Sequence, residues 1–215
     1  MQIFCVNKIQ LVIIYSENIF MKQKILDFTL LIFFTLSFTA CLSLPKNKTV
    51  PSRCLTDRGI KNEKQLYKFF IEKNPKASKK TVRKLARLYI SEASIEGINS
   101  DCAFVQMCLE TGFLEYGNLV KPEWNNYCGL GAIDASNPGE QFASPKEGVR
   151  AHIQHLHAYA TTEEKLLVNQ CIDRRYKYVK PRGKAKTVFE LAGTWATDKS
   201  YGQKLDALLS CLENY

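Results

Sequence analysis

The most constraining stretch of this sequence is CAFVQMCLETGFLEYGN, which runs from Cys102 to Asn118. Its first seven positions are apolar or small except for Gln106, so a helix formed here would be apolar on nearly every side. Such a helix lies buried inside a domain. It ends on one carboxylate, Glu110, which it would place in the inner wall of a cleft. Because burial raises the pKa of a carboxyl group, Glu110 is the candidate general acid of this chain.

Helical periodicity surrounds this stretch and predicts a mostly α-helical domain. Residues 62–73 and 79–96 each place apolar side chains on one helical face, and Gly97 follows the second segment as a stop signal. Ser100 or Asp101 is expected to cap the buried helix. Two acids of the second segment are expected on its solvated face, Glu92 and Glu96.

Two capping boxes indicate where later helices begin. Ser144 with Glu147, and Pro145 in the first turn, start a helix whose buried stripe is Val149, Ile153, Leu156 and Ala160. Glu147 is thereby interpreted as a cap and not as a catalyst. Thr187 with Glu190 opens the segment VFELAGTWA in the same way. A last helix presents leucines inward at positions 205, 208, 209 and 212.

The segment from Tyr116 to Phe142 carries most of the turn-forming residues and lies directly after the candidate acid. More than twenty residues without helical period inside a compact domain usually have a function. The three histidines all fall on the helix that follows, and two of them are spaced to share a metal ion: His152, His155 and His157. No acid or cysteine is evidently placed to complete such a site, so packing or surface roles are expected and no metal or other cofactor is assigned.

The formal charge of the chain is +9, and residues 42–215 hold 27 − 19 = +8 of it. A domain this basic favours polyanions such as nucleic acid, anionic lipid or anionic wall polymers. No DNA- or RNA-binding motif accompanies the charge, so nucleic acid is not expected as a partner.

The N-terminal 41 residues are expected to direct export. From Met21, a possible start, the chain reads MKQK, then an apolar run from Ile25 to Phe38, then Thr-Ala-Cys. A basic start, a short apolar core and small residues before a cleavage point are typical of a secretory signal. The placement of Cys41 resembles the bacterial lipobox, in which this cysteine is lipidated. A plain signal peptide or a membrane anchor is the alternative, although the run falls short of the ~20 residues a spanning helix needs.

Residues 42–60, rich in Pro, Lys, Ser and Thr, are interpreted as a tether, and residues 61–215 as one globular domain. Six cysteines lie beyond Cys41: Cys54, Cys102, Cys108, Cys128, Cys171 and Cys211. An even number in an exported protein permits disulfides, although their connectivity cannot be deduced.

Three motifs in order then suggest a family: LETGFL, NNYCGLGA and WATDKSYGQKL. Together they resemble the bacterial glucosaminidase family of peptidoglycan hydrolases, glycoside hydrolase family 73 of the lysozyme-like superfamily, over Asn62 to Leu212. The resemblance implies a mainly α, lysozyme-like domain with a small β or loop lobe. It also implies cleavage of the bond between N-acetylglucosamine and N-acetylmuramic acid. The export signal predicts a location in the cell envelope, and a monomer is expected.

The resemblance also assigns roles to residues. Glu110 matches the catalytic acid, and Tyr201 a tyrosine that faces the cleft. Asn126 and Tyr127 match cleft-wall positions that hold the glycan, and Gly129 would let the backbone approach the sugar. Trp195 and Asp198 also fall in a family motif, but core packing and a helix cap explain them equally well.

A second carboxylate across the cleft is harder to find. No hairpin is evident between Ala132 and Gln141, where the family usually carries one with its second acid. Glu140 is the best-placed candidate, Asp134 the next and Glu115 the poorest. If none serves, the N-acetyl group of the substrate would act as nucleophile, or the enzyme would be a lytic transglycosylase. A domain that only binds peptidoglycan is the third alternative.

Overall fold

Helices make up most of the regular secondary structure in the computed structural model, which describes residues 50–117 and 119–215. The signal segment, Cys41 and residues 42–49 of the expected tether lie outside the described residues. Residues 50–60 of that segment pack into the domain, where Leu55 is 1% exposed and Cys54 pairs with Thr187 in an isolated bridge. Five α-helices occur in the described part: α1, Glu63–Lys73; α2, Lys79–Glu96; α3, Ser100–Glu110; α4, Pro145–Ala160; and α5, Tyr201–Leu212. None of these helices is long and apolar enough to cross a membrane.

The first three helices begin and end at residues with a clear local reason. The Asn62 side chain accepts from the backbone N–H of Gln65, and the Gln65 side chain accepts from that of Asn62. Gly97 ends α2 with a φ of 70°, a conformation that costs glycine little. The predicted cap of α3 was wrong by one or two residues, because Asn99 accepts from the N–H groups of Asp101 and Cys102.

The predicted cap of α4 at Ser144 is confirmed, but its capping box is not completed, because Glu147 binds the residue before the cap. The box at Thr187 opens only a short turn. Ser144 accepts from the N–H of Glu147, and the Glu147 carboxylate accepts from the N–H of Ala143 at 3.0 Å. At the second box, the chain forms a 3₁₀ turn over Phe189–Leu191 and then folds back, because residues 192 and 196 pair in an isolated bridge.

Helix α3 is the centre of the core and packs against all four other helices. Every side chain from Ser100 to Cys108 is buried. Phe104 contacts the rings of Phe70 and Tyr89 edge-on, at centroid distances of 6.2 and 5.8 Å. Burying a side chain of this size stabilises a fold by about 1.5–3 kcal/mol. Burial on every side therefore confirms the interpretation of the apolar run.

The two acids of α2 are buried, which contradicts the expectation of a solvated face. The Glu92 carboxylate accepts from the guanidinium of Arg150 on α4 at 2.8 Å. The Glu96 carboxylate accepts from the backbone N–H groups of Val168 and Asn169 at 2.8 and 3.0 Å. Both acids are satisfied by partners far along the chain, so helical periodicity alone could not show their burial.

A small β lobe lies between α3 and α4. Strands β1, Ala132–Asp134, and β2, Asn137–Pro138, pair antiparallel. The Asp134 carboxylate accepts from the N–H groups of Ser136 and Asn137 and so closes the turn. The mostly helical, lysozyme-like fold with a reduced β lobe is thus confirmed, and a short hairpin is present where none was evident. All six cysteines in the described part of the chain are free.

Candidate active site

Glu110 is the last residue of α3, and two side chains from distant segments hold one of its oxygens. Its Oε1 accepts a hydrogen bond from Trp195 Nε1 at 3.1 Å and another from the hydroxyl of Tyr201. Burial raises the pKa of Glu110, and these two hydrogen bonds only partly oppose the rise. The carboxyl group therefore keeps its proton to a higher pH than an exposed glutamate would.

The carboxyl group borders a cavity of about 300 Å³. Its lining comprises Glu110, Thr111, Tyr116, Gly117, Leu119, Val120, Asn126, Cys128, Gly129, Ala132, Trp195 and Ala196. Gly129 has a φ of 65°, and a Cβ added there would lie 3.8 Å from Glu110 Oε2. The glycine thus leaves open the space beside the oxygen that Trp195 and Tyr201 do not occupy.

Trp195 and Tyr201 both belong to the motif WATDKSYGQKL. Tyr201 is the first residue of α5. Trp195 packs among the rings of His152, His155 and Tyr159, at centroid distances of 5.8, 5.1 and 5.2 Å. Trp195 therefore packs against the rings of α4 and also donates a hydrogen bond to Glu110.

Asp198 is not among the described residues that line the cavity, and it does not cap α5, whose N-cap residue is Ser200. Its half-exposed carboxylate accepts from the N–H and hydroxyl of Ser200 and from Lys204. These partners lower its pKa to about 2.

Of the two residues that the motif implied for the cleft wall, the structure places Asn126 at the cavity and Tyr127 elsewhere. Asn126 lines the cavity, but its amide donates to the carbonyls of Leu130 and Glu140 at 2.9 and 3.0 Å. Its oxygen accepts from the N–H of Leu130 at 2.9 Å. The side chain therefore shapes its own loop. Tyr127 is buried in the main core and is not among the described residues that line the cavity.

The sequence around this site matches a known protein family. Residues 86–214 match the family profile called Glucosaminidase, described as mannosyl-glycoprotein endo-beta-N-acetylglucosaminidase. The chain belongs to the glucosaminidase family. A protein of Borreliella burgdorferi, described only as uncharacterised, is 40% identical over 172 residues, which cover 80% of this chain and 82% of that protein.

Solved structures share the fold of this glucosaminidase domain at low sequence identity. One is Autolysin E of Staphylococcus aureus in complex with the muropeptide NAM-L-Ala-D-iGlu, with a TM-score of 0.50 and 13% identity over 78% of this chain and 74% of that one. Another is a catalytic glutamate-to-alanine mutant of the same autolysin with the disaccharide NAG-NAM, with a TM-score of 0.50 and 12% identity over 78% and 75%.

None of the three acids suggested by the sequence as a second carboxylate is among the described residues that line the cavity of this glucosaminidase domain: Glu140, Asp134 and Glu115. Glu140 lies 3.5 Å from the guanidinium of Arg174 and lines a separate cavity beside it. The Asp134 carboxylate closes its own hairpin turn, and Glu115 is exposed. Among the described residues that line the cavity, Glu110 is the only carboxylic acid.

Three buried residues behind Glu110 were missed as site residues. Gln106 donates from Nε2 to Tyr201 Oη at 2.9 Å, and its Oε1 lies 3.0 Å from His152 Nε2. His152 Nδ1 lies 2.8 Å from the hydroxyl of Tyr89. The sequence could have indicated Gln106, because it is the lone polar residue of the apolar run and precedes Glu110 by one helical turn. No group of three metal-ligating side chains occurs among the described residues, the histidines of α4 included.

Proposed function

We propose that this domain cleaves the glycosidic bond between N-acetylglucosamine and N-acetylmuramic acid in peptidoglycan, with Glu110 as the general acid. The observation that carries the proposal is the state of Glu110, a carboxyl group with a raised pKa whose free oxygen faces a cavity. Membership of the glucosaminidase family supports the class of bond, and the autolysin complexes with NAM-L-Ala-D-iGlu and NAG-NAM support the class of substrate.

The two oxygens of Glu110 have different tasks. Both described donors, Trp195 and Tyr201, bind Oε1, so the acidic proton resides on Oε2 beside Gly129. This proton passes to the leaving glycosidic oxygen while an oxocarbenium-like centre develops on the sugar. The carboxylate that remains is stabilised by the same two donors, because hydrogen bonds to a charged acceptor are about twice as strong as neutral ones.

A lytic transglycosylase is the second candidate, and one observation favours it. Glu110 is the only carboxylic acid among the described residues of the cavity lining, so no second carboxylate of the described chain is available there as nucleophile or base. In hydrolysis the N-acetyl group of the substrate would then supply the nucleophile. A transglycosylase needs only one glutamate and acts on the same glycan, at the linkage from C1 of N-acetylmuramic acid.

A digest of purified peptidoglycan by the full-length protein tests both candidates. Mass spectrometry is expected to find fragments with reducing N-acetylglucosamine ends, as hydrolysis by a glucosaminidase requires. Anhydro-muramyl ends instead would show transglycosylation. Binding to the wall without release of any fragment would leave a peptidoglycan-binding protein and overturn the enzymatic proposal.

The raised pKa of Glu110 predicts the pH dependence of cleavage. The acid must be protonated, so activity should persist above the usual range of a glutamate and fall as the pH rises through the raised pKa. Stability follows the same sign, because a raised folded-state pKa contributes fully below the unfolded value and is lost above the folded one. Rates and melting temperatures measured across pH check this. A melting-temperature difference from Glu110→Gln that does not vary with pH would contradict it.

The same proposal places the domain in the cell envelope. The exported start and the lipobox-like Cys41 support a lipid-anchored protein, and the charge of +8 beyond residue 41 favours anionic envelope polymers. Metabolic labelling with a fatty-acid analogue should mark the wild-type protein and not Cys41→Ala. Equal labelling of both proteins would show that Cys41 is not the lipidated residue.

A further inference from the structure

A chain of buried polar side chains runs from Glu110 to the far side of the core. Tyr201, Gln106, His152 and Tyr89 follow one another at 2.9, 3.0 and 2.8 Å, and the hydroxyl of Tyr201 contacts Glu110. We call these four residues the buried polar chain. They come from α5, α3, α4 and α2, so every helix except α1 contributes one member.

The direction of each hydrogen bond follows from the amide of Gln106. Its nitrogen can only donate, so the Tyr201 oxygen accepts from Gln106 Nε2 and the Tyr201 hydroxyl donates to Glu110 Oε1. The Gln106 oxygen then faces His152 Nε2 and requires a proton on that nitrogen. His152 Nδ1 must therefore accept, and the hydroxyl of Tyr89 donates to it. All four donors consequently point toward Glu110.

Because the members of the buried polar chain are shielded from solvent, water cannot replace the hydrogen bonds between them. Gln106 is 1% exposed, and the side chains of His152 and Tyr89 are not exposed. Burial, aided by nearby His155, lowers the pKa of His152 to about 3, so its ring is a neutral imidazole with one donor and one acceptor. A reversal of any one bond would leave two donors or two acceptors facing each other in the core, which is costly.

We propose that Gln106, His152 and Tyr89 are positioning residues that hold the Tyr201 hydroxyl as a donor to Glu110 Oε1 and so keep the acidic proton on Oε2, at the cavity. The proposal rests on the proposed function of Glu110 and names what orients it. If the Gln106 amide were turned, its oxygen would face Tyr201, whose hydroxyl would then donate away from Glu110. The acid would lose a donor on Oε1, and its proton would no longer be confined to the oxygen at the cavity.

The other titratable groups near Glu110 lie outside the buried polar chain. Cys128 lies in the loop that follows a 3₁₀ turn at Pro122–Trp124, and its thiol interacts electrostatically with Glu110. Behind Trp195, His155 Nδ1 lies 2.7 Å from the carboxylate of Asp173. The variants below change none of these groups.

Gln106→Met, in the full-length protein, removes both hydrogen-bonding ends at nearly constant volume. We expect kcat for peptidoglycan cleavage to fall by about 10- to 100-fold, the range for losing a hydrogen bond to a charged group, with KM unchanged. The alkaline limb of the pH profile should move to higher pH, because the carboxylate of Glu110 is less well stabilised. Tyr89→Phe should change both quantities in the same direction by less, since it removes only the distant end.

Tyr176→Phe is the matched control. It also removes a tyrosine hydroxyl from a histidine of α4, because the Tyr176 hydroxyl lies 3.0 Å from His157 Nδ1. Neither side chain is among the described residues that line the cavity of Glu110, so kcat and the pH profile should stay as in the wild type. If Gln106→Met lowers the melting temperature but leaves kcat and the pH profile unchanged, the buried polar chain is structural only and the proposal is overturned.

Nuclear magnetic resonance separates this inference from the proposed function. The ¹⁵N shifts of His152 should show a neutral ring protonated at Nε2, and the ¹³C-detected titration of the Glu110 carboxyl should move to higher pH in Gln106→Met. Both readouts work without turnover. A proton on His152 Nδ1, or an unchanged Glu110 titration, would overturn the inference even if peptidoglycan is cleaved. Absence of cleavage by the wild type would overturn only the function.

Discussion

Glu110→Gln is expected to lower the rate of peptidoglycan cleavage by about 10²- to 10⁴-fold, the contribution that general acid catalysis typically makes. Glutamine is nearly isosteric, and its carbonyl oxygen accepts from Trp195 and Tyr201 as Glu110 Oε1 does. The amide on the other side has no acidic proton for the leaving oxygen. Binding to insoluble peptidoglycan should therefore persist while fragment release, measured by mass spectrometry, is lost.

Glu115→Gln is the matched control for this substitution. It makes the same chemical change five residues later, on an exposed side chain that is not among the described residues of the cavity lining. Its cleavage rate should equal that of the wild type. Equal release by Glu110→Gln and the wild type would show that Glu110 is not the acid, whatever the fold of the domain.

Gly148→Ala is expected to destabilise the domain by about 3 kcal/mol or more, the upper range for overpacking a core. A Cβ at this position would lie 1.7 Å from the carbonyl oxygen of Asn125 and 3.2 Å from the ring of Tyr127. Alanine gains about 1 kcal/mol over glycine inside a helix, which is too little to offset a clash with backbone. The segment from Asn125 would have to move away from α4 and would carry Gly129 with it. Chemical denaturation and the cleavage rate both report the change.

Gly117→Ala serves as the control for that experiment. An added Cβ there meets no atom within 4 Å, and the residue does not have the positive φ that favours glycine. Its free energy of unfolding should match that of the wild type. If Gly148→Ala proves equally stable, the close approach of Asn125 to the start of α4 is not a feature of the folded protein.

Much of the helical framework was predictable because its signals are local. The periodicity over 79–96 matches α2 as it stands in the structure, and Ser144 with Glu147 marks the start of α4. Caps and apolar spacing act within a few residues of the chain, so a sequence displays them directly. The short turn at Phe189–Leu191 was not predictable in the same way, because the chain there folds back on itself.

The site was predictable only where the apolar run or a motif indicated it. Glu110 followed from the apolar run and Tyr201 from the glucosaminidase resemblance, and the structure places them in contact. The same resemblance placed Tyr127 in the cleft wall, whereas the structure buries it in the core. Glu92 appeared solvated because its partner Arg150 lies 58 residues away in the sequence, and no local pattern shows such a pair.

The sequence by itself determined that one acid would end an apolar helix, and this conclusion needs only the residue types from Cys102 to Glu110. Tertiary structure decided which groups would hold that acid. Trp195, Tyr201 and His152 lie between 42 and 91 residues away from it along the chain, and they meet it or its support only when α4 and α5 pack against α3. A hydrogen bond depends on the relative position of two side chains to within a fraction of an ångström, and packing alone sets that position.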